Sequence, residues 1–437
     1  MGADTYGGPV VIDLGLERGE PESYHRPGRR TTSPWFGPAL VVLFLLFGVT
    51  SAASPPAPPL TEVLRVPIGP GDPYTIDDDG RLLIQAAGRL SSYRLADGER
   101  RWQIDQNQPV YRLRTGSGML LLRPWSVGRD EPGTSAISLE TGARQWYHER
   151  NVVSFPGTAL LFAVEGVRST SGSGRRVQNA VEVIDPAVGL ARWRVAVPNT
   201  AVLLSVPGGM SRIMLVRDDQ TADLYDVPTG AHLASQIFPM TDYDPENPVV
   251  VGEAVLLRHP GPLGIEVSAY DPVTLRLLWN GPAPAVQRVR PCGELACLLG
   301  PGGVRAIEPT TGIERWSRPG WRTVEQYGSR LIAYTSTGPS DPAAVVDPAT
   351  GRELTNLTGW RPVAGTTAGG ELLVTREIGP GARTMVAVVA EGLDRPRLLA
   401  DLPEGTGDCQ TAPERLVCRS MYGELLVWAY RTTTRAG

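Results

Sequence analysis

IEPTTGIERW, spanning Ile307–Trp316, ends one strand, makes a turn and begins another, and the chain repeats that unit. Before it come LADGERRW at Leu95–Trp102, LETGARQW at Leu139–Trp146, IDPAVGLARW at Ile184–Trp193, YDVPTGAHLA at Tyr225–Ala234 and YDPVTLRLLW at Tyr270–Trp279. VDPATGRELT follows at Val346–Thr355. An apolar run such as Val181-Glu182-Val183-Ile184 predicts a strand with one buried face. Asp-Pro starts the turn, because Asp bonds the backbone two residues on and Pro presets φ. The turn then closes on Gly98, Gly142, Gly189, Gly230, Gly312 and Gly351, with Leu275 in the equivalent place of one copy. Glycine accepts the left-handed backbone that ends such turns. Four residues later the Trp opens the next strand.

The copies recur about every 37 to 47 residues, the length of a four-stranded blade. Another apolar strand precedes each, as at Leu82–Ile84, Met119–Leu122, Ala159–Phe162, Ile213–Val216, Ala254–Leu257 and Leu331–Tyr334. Such a blade cannot bury both faces alone, so the blades must stack in a ring. The fold expected is all-β: a β-propeller of eight four-stranded antiparallel blades over residues 60–431, preceded by one transmembrane α-helix. Worn copies fall at Leu372–Val374 with Thr384–Val389 and at Leu416–Cys418 with Leu425–Trp428; counting every strand allows nine blades. Leu60–Val66 has no partner nearby and is placed as the outer strand that completes the last blade, which removes open sheet edges.

These units resemble the quinoprotein-type propeller repeat, whose consensus ends Ala-Leu-Asp-x-x-Thr-Gly-x-x-x-Trp, and the resemblance covers about Leu60 to Arg431. It implies that the Trp docks on the neighbouring blade. That role carries to Trp102, Trp146, Trp193, Trp279 and Trp316 only, since Ala234 and Thr355 replace it elsewhere. The resemblance also raises a pyrroloquinoline-quinone dehydrogenase, whose site would need adjacent cysteines, a calcium and a catalytic aspartate. The chain has no Cys-Cys pair and no position matching the calcium or aspartate motifs, so no enzyme activity, cofactor or metal is expected. Outer-membrane assembly propellers share the repeat, which makes an envelope-assembly role the family-level analogy.

Trp35–Ala53, WFGPALVVLFLLFGVTSAA, carries no charge. At 1.5 Å per residue it reaches roughly 28 Å, close to a bilayer's hydrocarbon thickness. Arg26, Arg29 and Arg30 precede it and the next basic residue is Arg65, so the N-terminus is placed in the cytoplasm and the propeller outside the plasma membrane. The alternative is a signal peptide cut after Ser51-Ala52-Ala53; a leading region of about 35 residues, rich in acids as well as arginines, favours the uncleaved anchor. Residues 1–34 are expected to be a disordered cytoplasmic tail with one apolar island, Val10–Leu16, and 432–437 a disordered end. Residues 54–59 form a stiff Pro/Ala linker. The 437 residues carry a net charge of −4, and every basic side chain is arginine. That balance excludes nucleic acid as the main partner.

Cys292 with Cys297, and Cys409 with Cys418, each bracket a turn between the first two strands of a blade. Neighbours across a hairpin come within disulfide reach, so two disulfides in an oxidising compartment are expected. Two oxygen-rich segments, Asp77-Asp78-Asp79-Gly80 and Asp242, Asp244, Glu246, Asn247, are weighed as cation sites; turn chemistry accounts for the first. His25, His148, His232 and His259 read as isolated.

Long insertions separate the second and third strands of several blades: Ser126–Thr134, Gly166–Asn179, Pro260–Gly264, Gly338–Pro342 and Gly379–Arg383. They share one face with the blade-to-blade connections, and variable loops on a rigid scaffold are where binding resides. Gly166–Asn179 presents Arg168, Arg175 and Arg176 on what reads as a flexible stalk, suited to an acidic partner or anionic envelope polymer. The function expected is a non-enzymatic, membrane-anchored binding or scaffold module for a protein or envelope ligand. A transmembrane sensor reporting through Val10–Leu16 is the alternative.

Overall fold

A computed structural model describes residues 58–124, 133–154, 160–168, 174–206, 212–243, 246–336, 341–365, 371–379 and 383–431. The expected tail, membrane segment and C-terminal end, and most of the linker, lie outside them. No helix among the described residues is long and apolar enough to cross a membrane.

The described chain is built from strands in eight hydrogen-bonded sheets, antiparallel except where Ala364–Gly365 pairs parallel to Thr406–Ala412. The first blade pairs Tyr74–Ile76, Arg81–Ala86, Arg89–Arg94 and Arg100–Asp105 in sequence order from the inside outwards. The same meander recurs over residues 110–148, 249–282, 288–318, 323–356 and 361–401. The last blade uses Thr406–Ala412, Arg415–Ser420 and Glu424–Tyr430, and its outer strand is the first of the chain, Leu60–Pro67. Leu60 lies opposite Tyr430 and Pro67 opposite Glu424, so the two ends of the domain are joined by one ladder.

Eight sheets do not mean eight blades. One sheet has seven strands because Ala191–Val206 serves two blades. Its first half pairs with Ala180–Ile184 as the outer strand of the third blade. Its second half, Ala201–Val206, pairs with Arg212–Arg217 as the inner strand of the fourth. The four-stranded unit therefore occurs nine times, which corrects the expected eight.

Packing gives the same number. Nine buried apolar clusters separate the blades, one at each junction. The cluster that closes the circle joins Tyr74, Ile76, Leu82 and Ile84 of the first blade to Val417, Leu425 and Val427 of the ninth. The fold is a β-propeller.

Each second strand is wedged between two neighbours, which is why it reads as a continuous apolar run rather than an alternation. Leu82, Leu83 and Ile84 are all buried, with Leu83 facing the second blade and its two neighbours the ninth. Burying each such side chain contributes about 1.5–3 kcal/mol. Val181-Glu182-Val183-Ile184 likewise buries both faces, not one: Val181 and Val183 pack toward the fourth blade and Ile184 toward the second.

Candidate functional site

The repeat's conserved spacing produces one recurring joint. The Nε1–H of Trp102 donates to Leu139 O at 2.8 Å, that of Trp146 to Pro186 O at 2.8 Å and that of Trp193 to Val227 O at 2.6 Å. Trp279 reaches Pro309 O at 2.8 Å and Trp316 reaches Pro348 O at 2.9 Å. In every case the acceptor belongs to the turn of the following blade, and the indole lies flat over that turn's glycine. These five side chains are joints between blades, and they hold the turn face rigid.

Cys292 and Cys297 lie in the sixth blade's first hairpin with Cα atoms 5.8 Å apart; Cys409 and Cys418 lie in the ninth blade's, 4.1 Å apart. Both pairs are at disulfide distance. Cys409 is directly opposite Cys418, whereas Cys297 faces Arg290, so the first pair is diagonal.

The opposite face carries the hairpins between second and third strands together with the blade-to-blade connections. Here the structure corrects the reading of Gly166–Asn179 as a stalk. Leu161–Arg168 and Gly174–Ile184 are strands, with Arg168 opposite Arg176. Gly174–Gln178 also pairs with Thr200–Leu204 of the next blade, so that arm of the hairpin is held along a second edge; residues 169–173 lie outside the described ones. Arg176 donates to Thr200 Oγ1 at 3.1 Å and lies 3.9 Å from Asp218. Arg175 turns inward and donates to Ser154 O at 2.7 Å. Burial, and then the charge of Arg114, lower its pKa.

The weighed cation sites have other occupations. Asp77 is buried and accepts from Asp79 N at 3.1 Å, Arg81 N at 2.7 Å and the Arg81 guanidinium at 3.1 Å. Asn247 is clamped across Arg258, accepting from its N–H and donating to its carbonyl, each at 2.9 Å. Glu246 sits 3.6 Å from Arg290, which reaches Glu325 at 3.8 Å on the next inner strand. Asp244 lies outside the described residues. No group of three or more potential ligands that could hold a metal occurs among the described residues.

Three histidines are not isolated. His148 lies 3.5 Å from the buried Glu182, and His232 lies 3.1 Å from Asp223. His259 is itself buried: its Nδ1–H donates to Pro260 O at 2.8 Å, and its Nε2 lies at hydrogen-bond distance, 2.7 Å, from the Ser268 hydroxyl. With Ser268 only 2% exposed, this pair braces a hairpin and offers no approach to a substrate. A lone His in a sequence does not announce a Ser nine residues away, but the strand register does.

Two features of the loop-rich face are open to a ligand. A cleft of about 540 Å³ lies between the seventh and eighth blades, lined among others by Asp341, Trp360, Arg361, Arg376 and Glu377. The second feature is apolar. Ile237, Met240, Leu263, Met421 and Tyr422 are 70–90% exposed, the most exposed large apolar side chains among the described residues. Strand direction puts all five at this end.

No family model matches the chain, and no curated protein matches it. Solved structures do. BamB from Moraxella catarrhalis is 16% identical, with 85% of this chain and 100% of that one covered and a TM-score of 0.39. The C-terminal WD40 domain of Sif2 is 11% identical, with 86% and 99% covered and a TM-score of 0.40. A quinohemoprotein alcohol dehydrogenase from Pseudomonas putida HK5 is 12% identical, with 70% and 62% covered and a TM-score of 0.36.

Proposed function

We propose that the chain is a non-enzymatic binding or scaffold module that recognises a protein or envelope ligand through its loop-rich face. One observation carries this reading: the five most exposed large apolar side chains among the described residues, in the fourth, fifth and ninth blades, all lie on that face. Apolar surface left in water on a rigid frame marks an interaction site. On the turn face the Trp indoles are engaged by the neighbouring blades' turns. The uncharged Trp35–Ala53 supports an anchor in the plasma membrane with the propeller outside.

A photo-reactive residue placed at Leu263, on the loop-rich face, or at Ile313, on the turn face, separates the two sides in cells. Discrete cross-linked adducts are expected from Leu263 and none from Ile313; the reverse pattern would assign binding to the other face. Protease added to intact spheroplasts should digest the propeller, and protection would refute the topology.

A further inference from the structure

We infer that the cleft between the seventh and eighth blades is a saccharide site, in which the Trp360 ring carries the C–H face of a neutral pyranose while Arg361, Arg376, Asp341 and Glu377 bond its hydroxyls. The cleft lies on the face proposed above to bind ligand, so the site rests on that reading and gives the envelope ligand a chemical class.

Three segments meet at the loop-rich end of this junction. Thr335 and Asp341 border the hairpin between the seventh blade's second and third strands, Arg330–Tyr334 and Pro342–Val346. Thr358, Gly359 and Trp360 connect that blade's outer strand, Glu353–Asn356, to the inner strand of the eighth. Thr375, Arg376 and Glu377 lie near the end of the eighth blade's second strand, Leu372–Ile378. Together they line a cleft of about 540 Å³, within the roughly 300–1,000 Å³ of small-molecule sites. The inner strand pairs Arg361 with Thr375, and one step further in the same register brings Trp360 across from Arg376. Leu372 and Val374 pack into the junction, and alternation along the strand sends Arg376 to the same side. Its guanidinium carbon lies 3.7 Å from where a Cβ on Gly359 would stand, next to Trp360 in the chain.

The cleft is set apart by polar capacity left unused. Trp360 is half-buried against the junction's apolar cluster. Five other indoles donate to a neighbouring blade's turn, but no described residue accepts from the Trp360 Nε1–H. Arg361, Arg376, Asp341 and Glu377 are exposed, and none of these four side chains forms an ion pair or hydrogen bond with a described residue. Contrast Arg290, which sits between Glu246 and Glu325. Two guanidiniums and two carboxylates leave the rim without net charge. A phosphate would meet the carboxylates and a cation the guanidiniums, so the rim suits neither. A neutral ligand rich in hydroxyls suits both, because a carboxylate only accepts, a guanidinium only donates and a hydroxyl does each. Both charged groups are planar forks that engage two oxygens at once, as adjacent hydroxyls on a ring present them. The indole adds a flat apolar surface with one polar edge. A pyranose matches it, with C–H groups on its face and hydroxyls round its rim. Bounded by three segments of a single junction, the cleft takes a compact ring and not an extended chain.

The test is a glycan array probed with the fluorescently labelled full-length chain, in a nonionic detergent that has no sugar headgroup. The slide carries neutral oligosaccharides, sialylated and phosphorylated ones, and random hexapeptides. Binding to at least one neutral oligosaccharide is expected. In a titration with that sugar the affinity should fall at least tenfold in Trp360→Ala and in Arg376→Gln. Arg305→Gln, at an arginine 4.0 Å from Glu314 on the sixth blade, should change it less than twofold. Arg376 is exposed, so its variant tests the site even should Trp360→Ala fail to fold. No neutral glycan bound, a preference for the charged glycans, or full affinity in folded Arg376→Gln would overturn the site. Capture by the hexapeptides, lost in Arg376→Gln, would assign the cleft to a peptide and overturn the saccharide class. The array involves no cellular partner and Leu263 lies on the fifth blade, so a silent array beside persisting Leu263 cross-links removes this site and leaves the binding face in place.

Discussion

The indole of Trp146 fills the space in which a side chain on Gly189 would begin. A Cβ there would stand 2.5 Å from the ring, and the Gly189 backbone has φ of +73°. One glycine thus answers two demands, the left-handed turn of its own blade and the flat ring of the blade before it. The same holds for Gly142 under Trp102, Gly230 under Trp193, Gly312 under Trp279 and Gly351 under Trp316.

Gly189→Ala should therefore lose about 2–4 kcal/mol in urea unfolding, adding the left-handed penalty to an overpacked contact. Gly392 offers the control. Its φ is +77°, but nothing lies within 4 Å of its would-be Cβ, because Thr355 stands where the preceding blade's Trp would be. Gly392→Ala should lose only the backbone part, about 1–2 kcal/mol. Equal losses at the two positions would show that the indole contact contributes nothing.

Ala234 and Leu275 form the exception that tests the rule. The fourth blade lacks the Trp, and the fifth blade's turn lacks the Gly: Leu275 adopts φ of +58° and is fully buried in the cluster that Ala234 packs against. Its side chain takes the room the indole leaves. Ala234→Trp alone should destabilise by about 1–3 kcal/mol through overpacking. Combined with Leu275→Gly, the loss should fall short of the sum of the single losses by at least about 1 kcal/mol, measured as a double-mutant cycle. Strict additivity would mean the two positions do not share that space.

Cys409 and Cys418 close a loop of sequence separation 9 within the blade that completes the ring. On loop-closure entropy a bond there should contribute about 2–3 kcal/mol. Reductant should lower the melting temperature of the native chain, and do so by less once both are replaced by alanine. An unchanged melting temperature would place the pair in the reduced form.

Acid should weaken the turn face before neutral pH does. Backbone N–H groups of the turns hold the carboxyls of Asp185 and Asp271 below the ordinary range, and a hydrogen bond from Thr350 does so for Asp347. Arg94 holds Asp97 at about 2. A carboxyl with a depressed folded pKa stabilises above its unfolded value, near 3.9, and that stability is lost as pH falls through the folded value. Stability should thus be flat from about pH 7 to 5 and fall between about pH 4 and 2. Asp271→Asn should flatten that fall, and an acid limb unchanged by it would remove the turn carboxyls as its cause.

Much of this architecture was legible in the chain because turns are local. Asp-Pro and Thr-Gly declare themselves within ten residues, and the Trp spacing shows which residues meet the next blade. The placement of Leu60–Val66 as a closing strand was legible by elimination, since that strand had no neighbour to pair with. What the chain hides is pairing between segments far apart. Ser and Gly in Gly166–Asn179 have the composition of a loose loop, yet Arg175 faces Leu203 across a ladder. Likewise one strand runs from Ala191 to Val206 through Pro198 and serves two blades.

The ladder joining Leu60–Pro67 to Glu424–Tyr430 sets an order on biosynthesis. The strand that leaves the ribosome first is completed by the strand that leaves last, roughly 370 residues later. At about 5–20 residues per second, that is a wait of about 20 to 70 s with its backbone unpaired. A bare edge of that kind invites the wrong neighbour. Glu62 and Arg65, bonded to each other at 2.8 Å in the finished molecule, give the waiting segment charges of both signs and thereby a means of staying single until its partner is made.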